Sequence, residues 1–162
     1  MHNLSKVVDW LVCPICGASF QLTDTALHCE KRHCFDIAKQ GYVNLLGKAT
    51  PKNADTAAMV LAREKFLATD KYLPIAEAIS PYLADLKNLL EVGAGSGYYL
   101  SNLLGLAKAH PQMAAVVADT WTKLPVADKI ISGLLCVFAP RNPAEFFRIL
   151  APGGTLVIVT PN

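Results

Sequence analysis

The chain has 162 residues, 52% of them hydrophobic and 17% charged, which excludes a disordered polar chain and allows one moderate core plus a small appendage. A net charge of +2 with a sequence pI near 8.3 neither demands nor excludes a nucleic-acid partner, so any RNA-binding surface must be local. The apolar runs 130–139 and 155–159 fall far short of the roughly 20 residues that span a bilayer, and MHNLSKVVDW lacks a secretory core and cleavage site; a cytoplasmic protein without membrane contact is expected.

Four of the five cysteines lie within the first 34 residues: C-P-I-C at Cys13 and Cys16, then C-E-K-R-H-C from Cys29 to Cys34. In a reducing compartment such clustering points to metal ligands rather than disulfides, and two ligand pairs on two turns suit tetrahedral zinc. The intervening QLTDTALHC alternates apolar and polar residues and predicts a short hairpin that returns the second pair. His33 and Cys34 are neighbours, so an extended chain points them to opposite sides and only one can be the fourth ligand; composition by itself favours Cys34. His28 is expected to be an exposed strand residue. With all positions filled by protein the zinc would be structural, supplying folding energy to a module too small for its own core. Lys31 and Arg32 lie on the second turn, where phosphate contact competes with plain solvation.

This ribbon ends near Leu46. GKATPKNADT, residues 47–56, is rich in Gly, Pro, Lys and Asn and predicts a linker. From Ala57, AAMVLAREKFL and YLPIAEAISPYLADL carry apolar residues at helical spacing and predict two entry helices broken at Pro74, so that 47–85 separates the ribbon from a core over 86–162. Lys48, Lys52, Arg63 and Lys65 cluster here, with a solvated helix face as the bland explanation.

Residues 89–99, L-L-E-V-G-A-G-S-G-Y-Y, predict an apolar strand, an acidic residue and a G-x-G-x-G turn opening a helix. Gly93, Gly95 and Gly97 permit tight torsions and let a ligand lie against bare backbone. The spacing fits neither G-x-G-x-x-G nor a phosphate-cradling G-x-x-x-x-G-K-[ST]. It is similar to motif I of class I methyltransferases, which implies S-adenosylmethionine as ligand, with its methionine moiety near the loop and Glu91 beneath it. Residues 114–128, AAVVADTWTKLPVAD, then predict a short strand ending in Asp119, followed by Thr120 and Trp121. They resemble the methyltransferase feature in which an acidic residue meets the adenine amino group and a neighbour packs on the ring. The expected cofactor contacts are Glu91, Gly93, Ala94, Gly95, Gly97, Tyr98, Asp119 and Thr120. IISGLLCVFAP predicts a buried strand ending at Ala139 and Pro140, with Cys136 a buried structural thiol; EFFRILAPGGTLVIVTPN predicts a helix, a Pro-Gly-Gly turn and a last strand.

Taken together, C-P-I-C, H-C-F-D-I-A-K-Q-G-Y-V-N-L-L and L-E-V-G-A-G-S-G-Y-Y resemble the bacterial 23S rRNA (guanine-N1)-methyltransferase family, along with A-R-E-K-F-L and F-A-P-R-N. The resemblance implies an α/β fold: a Rossmann-like class I methyltransferase core with a small N-terminal zinc ribbon that helps recognise an RNA hairpin. It also implies methylation of guanine N1, a homodimer and, in some members, resistance to macrolides such as tylosin. It places the zinc ligands on Cys13, Cys16, Cys29 and His33, reversing the preference for Cys34. No residue is named as a catalytic base; positioning supplies most of the acceleration expected, and residues 139–142 are the candidates for base contact.

The chain departs from the family pattern twice. GLAKAHPQ runs directly to Val116 without a second strand carrying the acidic residue that holds the ribose, with the gap near Leu106 and Ala107, and the chain stops at Asn162 where the family continues. The core is therefore expected to be incomplete. The competing expectations are a class I methyltransferase of another substrate and a non-catalytic zinc and RNA-binding protein.

Overall fold

The computed structural model describes residues 3–46, 56–106 and 113–161, with the side chains of 104–106 left aside. The expected linker, with Lys48 and Lys52, falls outside the described residues up to position 55, as does the segment from Ala107 where a strand was expected to be missing.

The first module follows from its turns. After short 3₁₀ turns at Asn3–Lys6 and Val8–Trp10, three antiparallel strands form in the order β1 (Phe20–Leu22), β2 (Ala26–Cys29) and β3 (Cys34–Asp36). The β1–β2 turn is closed by Thr23, whose hydroxyl donates to the Ala26 carbonyl and accepts from the Ala26 N–H. Leu4, Leu11, Phe20, Leu27, Phe35 and Leu45 are buried together, with Phe20 and Phe35 edge to face at 5.6 Å. A two-residue strand, β4 (Val43–Asn44), follows.

Two helices come next, α1 (Ala57–Leu67) and α2 (Leu73–Leu83). Thr56 caps α1 by accepting from the Met59 N–H. The break expected at Pro74 falls earlier, over residues 68–72, where Asp70 has φ +58°; Pro74 instead opens α2, where its missing N–H costs no hydrogen bond. α2 buries Ala76, Ile79 and Leu83, whereas Met59, Leu61 and Phe66 of α1 stay exposed.

The core is a parallel three-stranded sheet in the order β5 (Leu89–Glu91), β7 (Ile131–Val137) and β8 (Leu150–Val159). Side chains of β7 alternate between two layers. Leu135 and Val137 pack with α2 and with Tyr99 and Leu103 of α3 (Tyr98–Leu106), while Leu134 and Cys136 pack with Phe146 and Ile149 of α4 (Pro143–Ile149). Helices thus cover both faces of β7, as expected of a parallel sheet, while Leu156 and Ile158 of β8 stay exposed. Arg148 of α4 ties residues 124–128 to this layer: it donates to both carboxylate oxygens of Glu145, to Asp128 and to the carbonyls of Leu124 and Val126, at 2.6–2.9 Å.

Three expected boundaries move. The strand expected to run to Ala139 stops at Val137, because Phe138 turns out of the sheet with φ +51°. The Pro-Gly-Gly segment lies inside β8 as a bulge: Ile131 faces Leu150, but Gly133 faces Thr155, and Gly153 takes φ +77°. The strand expected within 114–128 reduces to β6 (Val116–Val117), which pairs in parallel with β4 of the first module, so that among the described residues β5 is an edge of the main sheet. Contacts between ribbon and core continue beyond this pairing. The Val12 N–H donates to Pro125, the Ala127 N–H donates to Trp10, and Leu11 bridges to Val126. Among the described residues no helix is long and apolar enough to cross a membrane.

Candidate functional site

The metal cluster is built by two knuckles. In the first, the Cys13 N–H donates to Ala18 and the Gly17 N–H to Cys13, a turn that Gly17 closes with φ +75°. In the second, the Arg32 N–H donates to the Cys29 carbonyl and the Cys29 N–H to His33. Cys13, Cys16, Cys29 and His33 then bring one ligand atom each within 4.8 Å of one another. His33 Nδ1 lies 3.5 Å from Cys13 Sγ and 3.3 Å from Cys29 Sγ, and the Cys16 and Cys29 sulfurs are 3.7 Å apart. A tetrahedron with arms of 2.0–2.3 Å has edges of roughly 3.3–3.8 Å, and these three separations match it, so the chemistry and spacing of the donor set fit zinc. Burial alone would raise the Cys29 thiol, but N–H groups of His33 and Lys31 directed at its sulfur help bring it down to about 7, in the direction a thiolate ligand needs. Cys34, which composition favoured, points away: it is exposed, and its sulfur lies 3.9 Å from Nε2 of His28. Cys34 opens β3 on its exposed face, opposite the buried Phe35. His28 is half-buried rather than exposed.

The glycine loop occupies the C-terminal end of β5. Gly93, Gly95 and Gly97 have φ of +72°, +55° and +74°, a region that side chains with a Cβ resist. Gly93 is needed for space as well, since a Cβ there would sit 2.3 Å from the Ala139 Cβ. At Gly95 a Cβ would meet nothing closer than Arg63 Nη1 at 3.7 Å, so the backbone there is open. Glu91 lies under the loop and accepts from the Leu100 N–H at 3.0 Å; burial pushes its carboxyl up to about 7, against that hydrogen bond. Among the described residues the buried Tyr98 hydroxyl has no hydrogen-bond partner, an unsatisfied group of the kind a ligand polar atom can relieve.

Asp119 follows β6, and its carboxylate accepts from the Trp121 N–H at 2.9 Å, fixing the turn that carries Thr120. Asn142 joins this turn to the segment after β7: its side-chain N–H donates to Thr120 and Thr122, while its oxygen accepts from the Glu145 N–H and caps α4. Asn142 was a candidate for base contact, and these bonds commit its amide to the fold. The structure therefore brings together the glycine loop, residues 138–142 and the Asp119 turn, through Gly93 against Ala139 and Asn142 against Thr120. A shallow cleft beside Asp119 is lined by Pro14 of the first knuckle, Leu45, Leu46 and Lys123. Two features were missed in the sequence. Arg63 stands over the loop although it looks like one more charge on a solvated helix, and Phe138 holds a positive φ although its apolar neighbours suggest continuing strand.

Residues 11–50 match the family model for the N-terminal zinc ribbon of RlmA. The chain is 40% identical over 181 positions to the 23S rRNA (guanine(748)-N(1))-methyltransferase of Streptomyces fradiae, an alignment that takes in 96% of this chain and 65% of that protein. Two further proteins named for 23S rRNA guanine-N1 methylation align as well. That of Micromonospora griseorubida is 39% identical (93% of this chain, 65% of its own length) and that of Bacillus subtilis 28% identical (98% and 67%). The resemblance drawn from the motifs is borne out, and the chain is a relative of these proteins that spans 65% of the length of the first two. Since 181 positions take in only 96% of 162 residues, about 25 positions of the Streptomyces protein have no counterpart inside this chain.

Proposed function

We propose that this chain carries a Rossmann-like class I methyltransferase core, over 86–162, that binds S-adenosylmethionine and methylates N1 of a guanine in a 23S rRNA hairpin. The observation that carries the reading is the convergence of the glycine loop and residues 138–142 at the C-terminal ends of β5 and β7, where open α/β sheets bind their ligands, with the Asp119 turn after β6 held against them by Asn142. The relatives' names supply the reaction and the acceptor. The cofactor, when bound, supplies a methyl group on a sulfonium centre. The chain's own residues hold and orient: the bare backbone at Gly95 and the Tyr98 hydroxyl take the amino-acid side, and Asp119 takes the adenine amino group. The exposed Phe138 and the segment from Ala139 to Arg141 form the acceptor side. Attack by guanine N1 requires loss of its proton and in-line alignment with the methyl group, and placing the two reactants contributes most of the acceleration.

Zinc held by Cys13, Cys16, Cys29 and His33 fixes the ribbon, which presents Lys31 and Arg32 toward RNA phosphates. The 1–46 ribbon, the 47–85 entry helices, a homodimer and a cytoplasmic location belong to the same proposal. One observation favours a second reading, a zinc and RNA-binding chain without transfer activity: among the described residues β5 has no strand beside it other than β7, where the family pattern has a further strand.

Calorimetry with S-adenosylmethionine, with Gly95→Asp as the blocked variant, tests the cofactor site. Micromolar binding by the wild type, lost in the variant, is expected; no binding by either overturns the reading. Incubation with a 23S rRNA hairpin transcript, scored by a reverse-transcription stop at the methylated guanine, separates the two readings. Cofactor binding without a stop supports the second.

A further inference from the structure

We infer that Arg63 is the residue that receives the carboxylate of the cofactor's amino-acid end, an inference that rests on the proposed S-adenosylmethionine site. α1 carries few buried residues and looks from the sequence like a solvated helix, yet it places a guanidinium over the most open point of the glycine loop. A Cβ at Gly95 would have Arg63 Nη1, at 3.7 Å, as its sole neighbour within 4 Å among the described residues.

The placement is not accidental to one side chain. Phe66 lies three residues further on and so on the same face of α1. Its ring meets Tyr72 edge to face at 5.5 Å, and Tyr72 meets Phe138 at 6.1 Å. Phe138 is followed by Ala139, whose Cβ is the atom that forbids a side chain at Gly93. This aromatic chain pins the end of α1 to the segment after β7, and one helical turn earlier Arg63 closes over the loop. The result is bare backbone at Gly95 with a guanidinium beside it. Such an arrangement suits a small planar anion, because a guanidinium presents paired N–H donors that match the two oxygens of a carboxylate. A phosphate fits less well: the loop lacks the Lys-[ST] sequel of a phosphate cradle, with Tyr98 in that place.

The test uses the zinc-loaded full chain and two ligands that differ in one group, S-adenosylmethionine and decarboxylated S-adenosylmethionine, titrated by calorimetry into wild type, Arg63→Ala and Arg63→Lys. For Arg63→Ala the affinity for S-adenosylmethionine should fall about 10- to 100-fold, the range for a charge-assisted pair, while affinity for the decarboxylated ligand changes less than about threefold. Arg63→Lys should retain part of the loss-sensitive affinity. Arg63 is exposed, so unchanged thermal unfolding is expected and confirms that the variants fold. Equal losses for both ligands, or no loss for either, would overturn the assignment. Failure of the wild-type chain to bind S-adenosylmethionine would overturn the underlying site and the assignment with it; decarboxylated ligand bound by the wild type as tightly as the parent would overturn the assignment alone.

Discussion

Glu91→Gln should make the protein more stable, and increasingly so as the pH rises. The carboxyl of Glu91 is held under the glycine loop with burial pushing it from 4.5 up to about 7. A group whose folded value lies above its unfolded value favours the folded state most below the unfolded value, and that contribution is lost as pH climbs through the folded one. A displacement of about 2.5 units corresponds to about 3 kcal/mol in all, of which about 2 kcal/mol falls between pH 5.5 and 8.5. Gln has the same shape and can still accept from the Leu100 N–H, but it does not titrate. Urea unfolding of wild type and variant with saturating zinc at both pH values measures the difference, and titration of the zinc ligands cancels between the two chains. A stability gap that widens by about 2 kcal/mol toward pH 8.5 is expected. A gap that is the same at both pH values, or that narrows, would refute the claim that a buried carboxyl with one N–H partner is poorly solvated there.

Other outcomes follow from single contacts. Gly93→Ala must place a Cβ against Ala139 at a positive φ and should cost on the order of 2–4 kcal/mol in urea unfolding, with Ala139→Gly recovering part of the loss in the double variant. Cys34→Ser should keep one zinc per chain by elemental analysis, whereas His33→Ala should lose it in competition with a chromophoric chelator; the reverse pattern would exchange the two residues as ligand. Chelation of zinc should unfold the first module and, through the β4–β6 pairing and the Val12 bond to Pro125, raise amide exchange in residues 115–127. Leu135→Ala, at a fully buried point between β7 and the α2–α3 layer, should cost about 2–5 kcal/mol in the same unfolding assay.

Much of this was legible in the chain because short-range chemistry forces it. Two cysteine pairs on tight turns, a hairpin between them, and glycines after an apolar strand each depend on residues within a few positions of one another. Accordingly the zinc cluster, the β1–β2 hairpin, α3 and β7 lie close to where the pattern puts them. The resemblance to 23S rRNA (guanine-N1)-methyltransferases rests on the same local motifs, and the relatives bear it out. The fourth zinc ligand was harder: composition pointed to Cys34, the resemblance to His33, and the structure turns the Cys34 thiol outward and brings His33 Nδ1 to the cluster.

The remainder depends on distances across the fold, to which no local pattern responds. Val116 and Val117 look like any short apolar strand, but their partner is Val43–Asn44, more than seventy residues earlier, because a backbone edge must find hydrogen bonds wherever a strand is within reach. Phe138 leaves β7 where Ala139 closes on Gly93, a contact of two chain segments that neither announces. Arg63 is the plainest case. In the sequence it is one basic residue among several on an exposed helix, whereas in the fold the packing of Phe66, Tyr72 and Phe138 helps bring it beside Gly95. Turns and metal knuckles follow from neighbouring residues; strand partners and the residues facing a cleft follow from which surfaces can be buried together.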